Sequence, residues 1–263
     1  MRRASHQLVD NPKVLDDPLA VGIVGQESVA EASSLEGSFS RFIRAFMAVR
    51  SRYAEDQLAR AVSLGMRQYV VLGAGLDTFA YRNPYSGLRV FEVDHPATQA
   101  WKRERLATAN IPIPSSVTFA PVDFEHQTLA AGLAEAGLHQ EATFFSWLGV
   151  VPYLTRDAIT STFRYIAQFP APTGVAFDYA VPRSSLNLVG KLALDAISAR
   201  VARAGEPFQT FFDPAELAQE LRSIGFGEIE DLDRDVINSR YFANRSDKLR
   251  VGGHLGRLMC AWI

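Results

Sequence analysis

The chain has 263 residues, 48% of them hydrophobic, enough for a substantial core in one large α/β domain or two small ones. Lys plus Arg number 27 against 29 Asp plus Glu, and the arginines are scattered rather than interleaved with aromatics, so neither balance nor pattern points to nucleic acid. The longest strongly apolar stretch, Ala142 to Leu154, is too short to span a bilayer, and a single cysteine, Cys260, excludes an internal disulfide and fits a reducing, cytoplasmic setting.

Residues 1 to about 65 precede the first predicted strand. The segment opens Met1-Arg2-Arg3 with no apolar run behind it, so a signal peptide is not expected. From Phe39 onward the pattern is helical: Phe39, Phe42, Ile43, Phe46, Tyr53, Ala54 and Leu58 share one face. Arg50 falls on that face too. A charge there needs a partner, because an unpaired buried cation is strongly destabilising. A ligand carboxylate would supply one. The alternative is a helix that breaks near Ser51, leaving Arg50 to water or to Glu55.

The first strand, Tyr69–Gly73, runs into the turn Gly73-Ala74-Gly75, and the second, Leu88–Asp94, ends in acid. Glycines let the backbone turn sharply and approach a ligand with no Cβ in the way. Asp94 follows Gly75 by 19 residues, where a carboxylate can take both hydroxyls of a ribose. Together they predict a site for an adenosine-containing cofactor. A dinucleotide site requires a third glycine where this chain has Thr78. A nucleoside with a small zwitterionic tail, such as S-adenosylmethionine, fits better than a nicotinamide dinucleotide. A strand-to-helix turn with no ligand is the plain alternative.

Further strands are predicted at Ser116–Asp123, Thr143–Leu148, Thr173–Ala180, Glu228–Leu232 and Leu255–Ile263. Thr155 and Asp157 signal a helix start after the fourth strand. Ser184–Ala204 is an apolar-periodic insert after the fifth, with Leu188, Val189, Leu192, Ile197 and Val201. It and residues 1–65 are expected to cover the open end of the sheet. Asp213-Pro214-Ala215-Glu216 places an N-cap, a first-turn proline and a capping-box glutamate, and Gly225 ends that helix. Asp233 to Gly253 is expected to be a long loop, so the last two strands can pair antiparallel at one edge. Strands alternating with helices imply a parallel sheet covered on both faces, with ligands at its carboxyl edge. Asp94, Asp123 and Leu148 all fall at such strand ends.

Several blocks of this sequence resemble the leucine carboxyl methyltransferase family, in particular its bacterial branch of S-adenosylmethionine-dependent O-methyltransferases. They are Gln68–Thr78, Phe91–Leu106, the N-terminal His6–Ala20, the Arg-x-Arg block within Val49–Leu58, and the C-terminal Phe208–Gly227 and Arg240–Asp247. The resemblance covers nearly the whole chain. It implies an α/β, Rossmann-like class I methyltransferase fold: a seven-stranded, mostly parallel sheet with one antiparallel edge strand and a helical N-terminal cover, in one domain. It implies that Arg50 meets the cofactor's carboxylate, that Gly73, Ala74, Gly75 and Asp94 hold its nucleoside, and that Asp123 and the Phe124 backbone hold adenine. An N-cap for the next helix is the plainer alternative for Asp123. Many relatives carry glutamate where this chain has Leu148, which puts one polar contact near the methionine end in doubt. Trp147 reads as core.

No metal-ligand spacing appears among His6, His95, His126, His139 and His254, and none is needed. Methyl transfer from a sulfonium can rest on proximity and orientation. The expected activity is transfer of a methyl group to a carboxylate or hydroxyl of a small molecule, with no nucleic-acid or membrane partner. A carboxylate acceptor needs no base; a hydroxyl benefits from one, and His95 and Tyr179 stand nearest. A cofactor-binding protein without transferase activity, and a methyltransferase of a protein's C-terminal carboxylate, are the alternatives.

Overall fold

The computed structural model describes residues 1–25, 38–123, 126–203, 205 and 207–263. Among the described residues, the helices α1 (Arg2–Val9), α2 (Ala20–Val24) and α3 (Ser38–Ser63) precede the sheet. Then follow β1 (Gln68–Leu72), β2 (Arg89–Asp94), α4 (Pro96–Thr108), β3 (Val117–Pro121), α5 (Leu129–Glu135), β4 (Thr143–Trp147), α6 (Arg156–Ile166) and β5 (Gly174–Ala180). The chain ends with α7 (Leu188–Arg203), α8 (Pro214–Ile224), β6 (Glu228–Leu232), α9 (Arg234–Tyr241) and β7 (Gly256–Trp262).

The seven strands lie in the order β3-β2-β1-β4-β5-β7-β6. β1 to β5 are mutually parallel, and β7 runs antiparallel to both neighbours. The antiparallel member of the edge pair is therefore β7, inserted between β5 and β6. Its residues Leu258 to Trp262 are all buried, whereas β6 carries Glu228, Glu230 and Asp231 at the margin. The central strands β1, β4 and β5 are buried at every position, as expected of parallel strands covered on both faces.

Each face has its own apolar core. One holds Phe145, Phe163, Phe177 and Phe226 beneath α6 and α8; the other holds Tyr53, Leu58, Phe144 and Cys260 beneath α3. The predicted caps are present. Thr155 Oγ1 accepts the Ala158 N–H at the start of α6, and Asp213 accepts those of Ala215 and Glu216 at the start of α8. Gly225, at φ 127°, ends α8.

Two expectations, for the segment before β7 and for the insert, are corrected. The segment Asp233 to Gly253 is not only loop: Asp233 accepts the Asp235 and Val236 N–H groups and starts α9, which buries Ile237 alone. So polar a helix carries little hydrophobic periodicity. Between β1 and β2 the chain makes only the 3₁₀ turn Phe79–Tyr81. The insert is helical over Leu188–Arg203, but Leu188, Val189 and Leu192 are 73%, 74% and 62% exposed, and of that helix only Leu194 is buried. Leu194 joins the core beneath α6 and α8, whereas Leu188, Val189 and Leu192 cover neither core. Among the described residues no helix is long and apolar enough to cross a membrane.

Candidate cofactor site

Neighbouring crossovers leave β1 and β4 in opposite directions, so the strand order reverses between them. In such sheets the crevice at that switch point, at the carboxyl edge, is where ligands bind. A cleft of ≈ 450 Å³ lies there, within the size range of small-molecule sites. Its floor is Val71 to Asp77 from β1 and its turn, with Ser146 and Leu148 from the end of β4. Its opposite wall is Arg3 and Ala4 of α1, Ile23 and Val24 of α2 and its end, and Ile43, Met47 and Arg50 of α3. No residue of α7 lines it. The N-terminal segment thus contributes to the cleft, and the described residues of the insert are not among those lining it.

The glycine turn has two different requirements. Gly73 has φ 66°, and a Cβ there would stand 2.4 Å from Val150 Cγ2. Gly75 has φ 43°, and its Cβ would meet nothing nearer than the Gly73 carbonyl at 4.0 Å. The turn is close-packed beneath Gly73 and open above Gly75. Ala74 is buried and donates its N–H to Val93 O at 3.0 Å. The Gly75 N–H donates to Asp94 Oδ2 at 2.6 Å, while Asp94 Oδ1 accepts the His95 N–H at 2.7 Å. Asp94 is outside the cleft lining but is joined to it through Gly75. Thr78 is buried, and its hydroxyl donates to Asp17 at 2.7 Å. The short 3₁₀ turn after it presents no long helix N-terminus to a pyrophosphate.

Arg50 sits on an unbroken α3 and is not paired with Glu55, which binds Arg82 instead. Its side chain is 21% exposed and lines the cleft. One nitrogen, Nη1, donates to Asp178 Oδ2 at 3.3 Å. The protein itself therefore supplies a partner for Arg50 that is none of those weighed from the sequence, a ligand carboxylate, water or Glu55. Asp178 lies on β5, is 5% exposed, and also accepts the Gly149 N–H at 2.5 Å. Sequence reasoning missed it, although the signal was there: one carboxylate in the otherwise apolar Gly174–Ala180 strand raises the same question as Arg50 on its helix.

The other predicted residues divide. Leu148 lines the cleft, half-buried against the core beneath α3. Asp123 is at the end of β3, its carboxylate 3.0 Å from His126 Nδ1 and 4.0 Å from His95 Nε2. It is not the N-cap of α5; Thr128 fills that role. Phe124 lies outside the described residues. Trp147 is core, edge-on to Phe163 at 5.6 Å. Neither candidate base reaches the cleft. His95 is exposed and caps α4 through Nδ1. The Tyr179 hydroxyl is buried and donates to Asp231 Oδ1 at 3.0 Å; burial, then the Asp231 charge, raises its pKa well above the ordinary value.

The N-terminal segment is tied to the turn by charge. Arg3 pairs with Asp17 at 2.9 Å and with Asp77 at 2.8 Å, and donates to the Leu76 carbonyl at 2.7 Å. Burial alone would raise the Asp77 carboxyl; the Arg3 and Lys102 charges and the Phe79 N–H overcome this and hold it below the ordinary value. Sequence reasoning missed this set as well, since nothing local joins residues 3 and 77. Among the described residues no group of three or more His, Cys, Asp or Glu could hold a metal ion.

Residues 1–167 match the family model of leucine carboxyl methyltransferases, a stretch that includes the whole glycine turn, Arg50, Asp94, Asp123 and Leu148. The chain belongs to the leucine carboxyl methyltransferase family. A family relative, YktD of Bacillus subtilis, named as a candidate S-adenosyl-L-methionine-dependent methyltransferase, is 32% identical over 94% of this chain and 90% of its own. FRAAL3836 of Frankia alni, named likewise, is 32% identical over 64% of this chain and 61% of its own. Among solved structures, a DUF574 family protein of Streptomyces avermitilis superposes with a TM-score of 0.61 at 15% identity, covering 99% of this chain and 95% of that one. The magnesium protoporphyrin IX methyltransferase of Synechocystis, solved with bound S-adenosylhomocysteine (SAH), gives 0.52 at 12% identity, covering 92% and 95%. At those identities the likeness is one of fold, and the fold is the Rossmann-like one of methyltransferases.

Proposed function

We propose that this family member is an S-adenosylmethionine-dependent O-methyltransferase whose acceptor is a small-molecule carboxylate. The observation that carries the reading is the Gly75–Asp94 hydrogen bond, which joins an open glycine turn to a strand-end carboxylate beside a cleft whose far wall carries Arg50. The residues present fit the cofactor. Asp94 keeps lone pairs for ribose hydroxyls beyond the two N–H groups it accepts. Gly75 leaves the room a Cβ would fill. Arg50 has donors beyond its single bond to Asp178. Asp123 and the Phe124 backbone would hold adenine, and Leu148 would pack near the methionine end.

The bound cofactor would supply a methyl group on a sulfonium that is already an activated leaving group. The protein's part is to bind, orient and exclude water. Apolar groups from Ile23, Ile43, Met47 and Leu148 favour a dry acceptor site beside the cofactor. A carboxylate acceptor is favoured over a hydroxyl because the cleft-lining residues described include no histidine or tyrosine, and Asp77 is engaged by Arg3. We read the chain as one functional unit, with residues 1–65 closing the cleft over residues 66–263.

The test is incubation of purified protein with methyl-labelled cofactor and a panel of small carboxylic acids and phenols. Label in base-labile methyl esters is the expected result. Base-stable label would move the acceptor to a hydroxyl. Tight SAH binding with no transfer to any acceptor would favour a binding protein without transferase activity.

A further inference from the structure

The corner where β4, β5 and α3 meet joins two residues within the family match over residues 1–167, Arg50 and Gly149, to one beyond it, Asp178. Asp178, fifth residue of β5, places its two carboxylate oxygens on two different partners. Oδ1 accepts the Gly149 N–H at 2.5 Å, and Oδ2 accepts from Arg50 Nη1 at 3.3 Å. Gly149 has φ 73°, and a Cβ on it would stand 2.7 Å from both Nη1 and Nη2 of Arg50. The turn after β4 is therefore pressed against the guanidinium, and only glycine permits the approach. Arg50 is held between a backbone on one side and a carboxylate at one end, with its remaining surface toward the cleft. The neighbouring Leu148 brings no charge to this corner.

We propose that Asp178 is a positioning residue for cofactor binding, acting through Arg50 and Gly149. This rests on the reading that Arg50 meets the cofactor's carboxylate. A guanidinium carries five N–H donors, and one long contact from Nη1 leaves others for a ligand. Fixing one end of the planar group directs the rest and removes rotamers that binding would otherwise have to freeze. The same carboxylate balances the cation while the cleft holds no anion, so Arg50 remains in place rather than swinging to solvent. It also sets the backbone of the β4 turn, and hence the position of Leu148.

A double-mutant cycle separates this role from a merely structural one. SAH affinity is measured by calorimetry for wild type, Asp178→Asn, Arg50→Met and the double variant, each checked for folding by thermal unfolding. Asparagine can still accept the Gly149 N–H but turns a neutral amide toward Arg50. The expected result is a loss of about tenfold for Asp178→Asn when Arg50 is present and little further loss when it is already methionine. Equal losses in both backgrounds would overturn the proposal, as would wild-type affinity in Asp178→Asn. If Asp178→Asn does not fold, Gly149→Ala serves, since its Cβ displaces the guanidinium while leaving Asp178 in place. The same dependence on Arg50 is then expected, and its absence overturns the proposal. Failure of the underlying reading looks different: wild type would not bind SAH, or Arg50→Met alone would bind it as wild type does.

Discussion

Asp94 and Arg50 face the same ligand in our reading but are held in different ways. Asp94 accepts two backbone N–H groups, from Gly75 and His95, so its carboxylate is fixed before any ribose arrives. Asp94→Ala should cost roughly 1.5–3 kcal/mol of SAH binding, or about 10- to 150-fold in affinity. Calorimetry showing wild-type affinity would remove the ribose assignment. Arg50 is held by one side-chain contact, to Asp178. On the sequence alone, an unpartnered Arg50 would destabilise the ligand-free protein, and Arg50→Met would raise its stability. The pair with Asp178 reverses that sign, because methionine leaves a buried carboxylate without its cation. Arg50→Met should lower ligand-free stability by about 1–2 kcal/mol, discounted for the partial exposure of the arginine side chain. It should also shrink the rise in unfolding temperature on adding SAH. Equal rises in variant and wild type would make Arg50 a structural arginine.

The glycine turn is an element whose two glycines separate stability from binding. Gly73 has both a positive φ and Val150 beneath it, so Gly73→Ala combines backbone strain with overpacking and should cost about 2–4 kcal/mol. Gly75 has the positive φ with open space beyond it, so Gly75→Ala should cost only about 1 kcal/mol of stability. Its methyl projects where a ligand would approach, so SAH should bind about tenfold more weakly or worse. Thermal unfolding of both variants, with and without SAH, measures the two effects together. A Gly75→Ala protein with full ligand stabilisation would place the cofactor elsewhere. The turn and its partner strand were legible in the sequence because every part is local: an apolar run, two glycines, and an acid at a fixed spacing. The insert was not. Its helix follows from its own residues, but whether Leu188, Val189 and Leu192 would find a surface to cover depended on where the preceding strand delivered them.

At the scale of the whole molecule, the N-terminal segment is docked by a buried charge cluster. His6 Nε2 accepts the Val14 and Leu15 N–H groups, which puts the ring proton on Nδ1, 2.8 Å from Asp10. Arg44 of α3 binds both oxygens of Asp10, at 2.8 and 3.0 Å. Burial alone would raise the Asp10 carboxyl, but the His6 and Arg44 hydrogen bonds and the Arg44 charge outweigh it and lower the pKa from 3.8 to about 2. A depressed carboxyl contributes stability that is full above its unfolded pKa and is lost as pH falls through its folded one. The contribution, about 2 kcal/mol, should therefore vanish between about pH 4 and pH 2. The stability gap between wild type and Asp10→Asn, measured by urea unfolding, should narrow over that window. A gap unchanged from pH 6 to pH 2 would contradict the assignment. The sequence by itself determined the strands to within a residue or two, the helix caps at Thr155 and Asp213, and the glycine turn with Asp94, because each is set by groups near one another along the chain. Only the tertiary structure decided that Asp178 pairs with Arg50 across 128 positions, that Arg3 reaches Asp77, and that β7 slips between β5 and β6. The partner of a buried charge, and the neighbour of a strand, are chosen by how the chain closes in space, and no short-range pattern records that choice.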